Sequence, residues 1–251
     1  MKLQIVNGWS APNALWAGMF EDLGQVDVIE VISLNKAHSA EAWSEKILSH
    51  IDGPTILMGW SLGAQLAMFS AARAFKKCEP EAQQIKGVVS LMANPSFLKT
   101  GRQGYGMSRE EFLQFSSLLE RQGKEALLKR FCALVCKGES SYKARYRELW
   151  DTYCNDLHAP SDEALANGLR LLEQLDISEV LGAVSCPQLW VSGAKDVLCP
   201  GVRHSKLTHL PAHKAREFVE LNAGHSPFFD NKPLLVAEVG GFLEKYVAAV
   251  H

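Results

Sequence analysis

Thr55-Ile56-Leu57-Met58-Gly59-Trp60-Ser61-Leu62-Gly63-Ala64-Gln65-Leu66-Ala67-Met68 reads as a buried strand that turns sharply into a helix. Pro54 introduces an apolar run of strand length, and the stretch from Ala64 to Phe75 is rich in helix-forming Ala and Met. Between them lies Gly59-x-Ser61-x-Gly63. A nucleophilic serine needs a tight, strained turn that exposes its hydroxyl at the end of a sheet, and flanking glycines let strand and helix approach closely. The pattern alone is weak, because chance gives it to about one chain in ten of this length. A serine capping an ordinary strand-to-helix turn would look the same. Placement between a strand and a helix favours the nucleophile, Ser61.

Working outward, residues 3–6 form a short buried strand and residues 7–13 the loop after it. Residues 14–23 have helical spacing, and 26–32 is a second β-branched run. Residues 40–51 are amphipathic, with Trp43, Ile47 and Leu48 on one side. Beyond the elbow, 88–92 is another apolar strand, bounded by Gly87 and by Asn94-Pro95. Strands alternating with helices predict βαβ units and a mostly parallel sheet.

The alternation stops between residues 97 and 184. Ser108 and Glu111 have capping-box spacing and open a helix predicted to run to Gln122. Segments 125–136, 141–154 and 161–175 also carry helical spacing, with no strand among them. Pro187 restores the strand rhythm at 188–192, followed by a strand at 216–221 and a closing helix at 234–249. The expected organisation is a core of residues 1–96 and 185–251 with a helical lid, 97–184, inserted into it.

Each late strand ends in a loop with a reactive side chain. Strand 188–192 runs into Gly193-Ala194-Lys195-Asp196, and strand 216–221 into Asn222-Ala223-Gly224-His225-Ser226-Pro227. Catalytic groups of open α/β sheets gather at this carboxyl edge. The order Ser61, Asp196, His225 is that of a nucleophile, the carboxylate that orients the base, and the general base. Singly, Asp196 could be an Asx-turn carboxylate and His225 a surface histidine. His38, His50 and His158 precede Asp196, whereas His204, His209 and His213 follow it too closely. Acyl transfer also needs donors for the developing oxyanion. The backbone N–H of Leu62 is one candidate. Trp9, in the loop Asn7-Gly8-Trp9-Ser10, is the second, and its indole could also wall an acyl pocket or simply pack beneath the lid.

Composition narrows the class. The 251 residues are 47% hydrophobic and 22% charged, with a formal net charge of −2, an ordinary soluble composition that argues against nucleic acid or membrane as a partner. The N-terminal apolar run is too short for a signal peptide, and no stretch has the length of a bilayer span. Cys78, Cys132, Cys136, Cys154, Cys186 and Cys199 are scattered without metal-site spacing, as expected of reduced thiols in a cytoplasmic protein.

Several islands together resemble the BioH-type carboxylesterases, which demethylate pimeloyl-acyl-carrier-protein methyl ester in biotin synthesis. They are Gly8-Trp9, Gly59-Trp60-Ser61-Leu62-Gly63 with tryptophan before serine, Ala93-Asn94-Pro95-Ser96-Phe97, Arg130-Phe131-Cys132-Ala133-Leu134, Asn167-Gly168-Leu169-Arg170-Leu171-Leu172 and His225-Ser226-Pro227-Phe228. Asn7 departs from the family, which has histidine there, and Ala64 stands where a second glycine is usual. The resemblance implies the α/β-hydrolase fold, a Ser61-His225-Asp196 triad and no metal or cofactor. It further implies substrate contacts at Trp9, Ser61, Leu62, Phe131, Cys132, Ala133, Leu134, Val135 and His225. Its partner would be an acyl-carrier protein gripped by basic lid residues.

The sequence independently offers a basic face. Between residues 121 and 150, eight Lys or Arg stand against Glu125, Glu139 and Glu148, a local excess of five positive charges that falls to three when Glu120 and Asp151 are included. A solvated helical face would look alike. Arg130, Lys143 and Arg147 are the expected carrier contacts. The predicted function is serine carboxylesterase, acting as a monomer. The alternatives are a thioesterase, a carbon–carbon hydrolase or a small-ester esterase of the same fold, or a non-catalytic ligand-binding protein on that scaffold.

Overall fold

The computed structural model describes residues 1–99, 106–157, 159–200 and 216–246. Within these, β1 (Lys2–Val6), β2 (Val28–Ile32), β3 (Thr55–Trp60), β4 (Ile85–Leu91), β5 (Gln188–Gly193) and β6 (Arg216–Leu221) form one sheet in the order β2-β1-β3-β4-β5-β6. Every neighbouring pair is parallel. The central strands are nearly continuous in apolar residues, as parallel strands covered on both faces must be; all of β3 is buried. The helices are α1 (Ala40–Ser49), α2 (Leu62–Lys77), α3 (Arg109–Ser116), α4 (Leu118–Val135), α5 (Tyr142–Cys154), α6 (Asp162–Gln174) and α7 (Lys232–Tyr246).

Topology fixes where chemistry can occur. The chain order reverses between β1 and β3, which lie side by side, so a crevice opens beyond their carboxyl ends. Val6 pairs with Gly59, so the loop after β1 lies beside the elbow after β3. Gly193 pairs with Leu221, so the loops after β5 and β6 also leave the sheet together.

Helices α3 to α6 all fall between β4 and β5. A neck closes this insertion: Ser96 bridges Asp176 antiparallel, and the Ile177 N–H donates to the Pro95 carbonyl at 3.0 Å. Local chemistry starts its helices. Ser108 and Glu111 form the full capping box, and the Ser161 hydroxyl accepts from the Ala164 N–H. Among the described residues no helix is long and apolar enough to cross a membrane.

Three predicted elements differ. Residues 14–23 form only a 3-10 turn, Asn13–Trp16, because Gly18 takes φ +63° and the chain turns away. The helix predicted to reach Gln122 ends at Ser116 and α4 begins at Leu118, while the non-helical Gly123 (φ 81°, ψ 173°) falls between the two predicted helices. Gly87 does not bound β4, which begins at Ile85; a Cβ there would lie 3.1 Å from both Ile56 and Phe242, so this glycine serves close packing inside the strand. Residues 247–249 of the predicted closing helix, together with His158, His204, His209 and His213, lie outside the described residues.

Candidate active site

Ser61 occupies the turn between β3 and α2 with φ 55° and ψ −123°, a conformation that costs a non-glycine residue energy and persists only where its surroundings impose it. The two glycines explain how. A Cβ on Gly59 would sit 2.3 Å from the Gly63 carbonyl oxygen, and one on Gly63 would sit 2.2 Å from that of Val6. Any larger residue would push α2 away from the end of β1. The start of α2 therefore lies against the loop after β1, with the N–H of Leu62 in its first turn. Neither that N–H nor the N–H of Trp9 donates to a protein group among the described residues.

Asn7 organises the loop that carries Trp9. Fully buried, it accepts from the Gly8 N–H (3.0 Å) and the Trp16 indole (3.0 Å), and donates to the Ala11 carbonyl (2.7 Å) and the Asn13 side chain (3.1 Å). The amide thus uses both its acceptor and its donor atoms, where the family's histidine would offer two ring nitrogens. Gly8 is required because a Cβ would strike the Trp60 ring at 2.4 Å.

Asp196 and His225 meet as their strand ends predict. Asp196 Oδ1 accepts from the N–H groups of Leu198 (2.8 Å) and Cys199 (2.9 Å), which leaves Oδ2 to His225 Nδ1 at 2.7 Å. Both side chains are fully buried. With Nδ1–H donated to the carboxylate, Nε2 is the nitrogen left to accept; it is buried and makes no hydrogen bond among the described residues, so the Ser61 hydroxyl is not bonded to it in this structure. Such bonds are often long before substrate binds. The Trp60 indole, next to Ser61 in sequence, donates to the His225 carbonyl at 2.9 Å and ties the two loops together.

Asp196, Cys199 and His225 also place one potential metal ligand each within 4.8 Å. The chemistry of the set does not fit an ion. Both carboxylate oxygens already accept hydrogen bonds, and burial holds the Cys199 thiol far above its ordinary pKa, so no thiolate is on offer. All six cysteines are free thiols.

Two helices of the insertion pack against the loop after β1. Trp9 is 2% exposed; its indole donates to the Leu165 carbonyl of α6 at 3.0 Å and meets Phe131 of α4 edge-to-face at 4.9 Å. Packing under the insertion is thus one role of this ring. Phe131, Cys132 and Val135 are buried on α4, whereas Ala133 and Leu134 are partly exposed. On the outer surface Lys129 is paired with Glu125, and Arg145 with Glu148 and Asp230. Arg130, Lys143 and Arg147 are exposed and, among the described residues, unpaired. Lys143 and Arg147 line a shallow groove with Tyr142, Tyr146 and Trp150.

Two contacts had little or no signal in the sequence. Glu139 lies in a polar turn that reads as solvated, yet its carboxylate is buried against Gly224. Gly168 stands in the island 167–172, but nothing local names its partner: a Cβ there would lie 2.2 Å from the Trp9 ring.

Comparison with known proteins agrees with this architecture. The pimeloyl-[acyl-carrier protein] methyl ester esterase of Xanthomonas oryzae pv. oryzae (strain MAFF 311018) is 27% identical over 256 residues, covering 99% of this chain and 95% of that one. The protein of the same description from Xylella fastidiosa (strain 9a5c) is 24% identical over 250 residues, covering 96% and 94%. Among solved structures, an esterase from Exiguobacterium antarcticum superposes with a TM-score of 0.79 at 15% identity, covering 97% of this chain and 92% of that one. An enol-lactonase from Burkholderia xenovorans LB400 gives 0.76 at 17%, covering 97% and 91%. Residues 15–239 match the model of the alpha/beta hydrolase family. A strained serine after β3, a carboxylate after β5, a histidine after β6 and a match over most of its length place this chain in the alpha/beta hydrolase family.

Proposed function

We propose that the protein is a serine carboxylesterase that hydrolyses an acyl methyl ester, the natural substrate being pimeloyl-acyl-carrier-protein methyl ester. The observation that carries the chemistry is the buried His225, bonded through Nδ1 to Asp196 and left with a free acceptor nitrogen. Ser61 Oγ attacks the ester carbonyl while His225 Nε2 takes its proton. The N–H groups of Leu62 and Trp9 donate to the oxyanion, and Asp196 supports the imidazolium. Collapse of the tetrahedral intermediate returns the proton to the departing methanol. Water, deprotonated by the same imidazole, then attacks the acyl-enzyme and releases the free carboxylate and Ser61. Every step is supplied by side chains and backbone of this chain.

The substrate assignment is supported by the relatives described as pimeloyl-[acyl-carrier protein] methyl ester esterases, which align over nearly the whole chain. In this reading residues 97–184 act as a lid, and Trp9 with residues 131–135 contacts the acyl chain. Arg130, Lys143 and Arg147 face the acidic carrier, because they are charged, exposed and unpaired among the described residues. The deciding experiment is growth without biotin: the gene should restore it to a strain lacking its own pimeloyl methyl ester esterase, and the purified protein should release methanol from the carrier-bound ester. Hydrolysis of small esters with no rescue would leave the esterase and remove the assigned substrate.

A further inference from the structure

The mechanism leaves one buried carboxylate unused. Glu139 follows α4 in the turn Lys137-Gly138-Glu139 and is 8% exposed. Its Oε1 accepts a hydrogen bond from the N–H of Gly224, the residue before His225, at 3.1 Å. That donor is buried, and the acceptor comes from the insertion and not from the sheet. The fit is close on both sides of the turn. A Cβ on Gly224 would lie 2.3 Å from the Lys137 carbonyl oxygen, and one on Gly138 would lie 2.7 Å from Cβ of Lys195, the neighbour of Asp196. The turn is therefore wedged between the Asp196 and His225 loops.

The other flank of the histidine loop is held from the same segment. Asp230 accepts from the Ser140 hydroxyl at 2.6 Å and pairs with Arg145, whose guanidinium lies over the Phe229 ring at 5.3 Å. Burial raises the Glu139 pKa, the Gly224 N–H opposes that rise, Asp230 adds to it, and Arg145 and Lys195 oppose it.

We infer that Glu139 is a positioning residue for His225, and that Glu139, Ser140 and Arg145 form a clasp by which the insertion sets where the imidazole stands relative to Ser61. The inference rests on the reading of His225 as the general base. Displacing a base by about 1 Å costs on the order of a hundredfold in rate, so the loss should fall on kcat and not on KM.

The test uses the whole protein and p-nitrophenyl butyrate. Glu139→Met fills the same volume without an acceptor for Gly224, whereas Glu139→Gln keeps a carbonyl there. Expected are a fall in kcat of about 30-fold for Glu139→Met with KM within about twofold, and kcat within about threefold of wild type for Glu139→Gln. Wild-type kcat in Glu139→Met, a change confined to KM, or equal losses in both variants would overturn the clasp. Should Glu139→Met fail to fold, Asp230→Ala decides: kcat lower by about fivefold at constant KM supports the clasp, and unchanged kcat refutes it. His225→Ala run alongside separates the two ideas. An active His225→Ala removes the underlying mechanism, whereas an inactive one beside a normal Glu139→Met removes the clasp alone.

Discussion

The sheet and the helical insertion reach the same loops by different means. At the strand ends, position is set by backbone. Register puts the loop after β1 beside the elbow, and Gly63 lets α2 lie against the Val6 carbonyl. The insertion works through single groups: the Leu165 carbonyl holds the Trp9 indole, and the Glu139 carboxylate holds Gly224. Backbone placement tolerates change in most side chains but no change in topology. Side-chain placement is lost or altered by one substitution. The comparison teaches that the sheet positions the reactive loops through backbone, whereas the insertion touches those loops through a few single contacts.

The largest expected effect would break this division outright if it failed. Ser61→Ala and His225→Ala should fold normally and lose about five orders of magnitude in kcat on every ester, since members of a triad act as a unit. Asp196→Asn should lose about 10³- to 10⁴-fold, because Nδ1–H loses the partner that fixes its tautomer. A fluorophosphonate probe should label the wild type at Ser61 alone. A small ester still turned over by Ser61→Ala would place the nucleophile elsewhere.

A smaller effect tests the sheet side without touching a reacting atom. Asn7→Ala removes four hydrogen bonds from the loop carrying Trp9 and leaves buried donors without acceptors, costing about 2 kcal/mol of stability by denaturant titration. Its kcat should fall about tenfold or more, equally for small and carrier-bound esters, as loss of an aligned oxyanion donor requires. Unequal losses would blur the line between the two regions.

The insertion side should behave in the opposite way. Reversing Arg130, Lys143 and Arg147 together to Glu should raise KM for the carrier-bound ester about tenfold and leave p-nitrophenyl butyrate hydrolysis near wild type. Rising salt should weaken the wild type on the carrier substrate only, because exposed charges are screened. Equal loss on both substrates would point to a misfolded insertion.

The smallest effect concerns pH. The Glu139 pKa is raised by burial, so the folded state disfavours its ionised form. That penalty is absent below the ordinary glutamate pKa, grows as pH rises toward the raised value, and is fully present above it. Glu139→Gln should therefore raise Tm by about 2 °C at pH 8 and leave it unchanged near pH 3. A gain at the acidic end instead would reverse the assigned direction.

Much of the sheet was legible because its signals are local. Apolar runs mark β1, β3 and β5, and Ser61, Asp196 and His225 each follow a predicted strand within four residues, although the last, β6, is half charged. Contacts that depend on tertiary approach were not legible. Residues 14–23 have apolar side chains at helical intervals, but Trp16, Met19, Phe20 and Leu23 bury themselves from successive turns as well as from a helix. Glu139 gives no local sign of burial, because its surroundings come from Gly224, Lys195 and Asp230. The break at Gly123 was legible, since it falls between the helix predicted to reach Gln122 and the one predicted from 125; the earlier end of α3 at Ser116 was not.

The anchoring of Trp9 to α6 limits how this protein can be recombined. A Cβ at Gly168 would collide with the Trp9 ring, and the indole needs the Leu165 carbonyl at its present height. Residues 7–11 and α6 are thus one inheritable unit despite lying more than 150 positions apart. A chimera that imports the helices of a relative while keeping the native loop would join two halves cut from different moulds. Exchange between relatives should succeed when loop and helix travel as a single cassette.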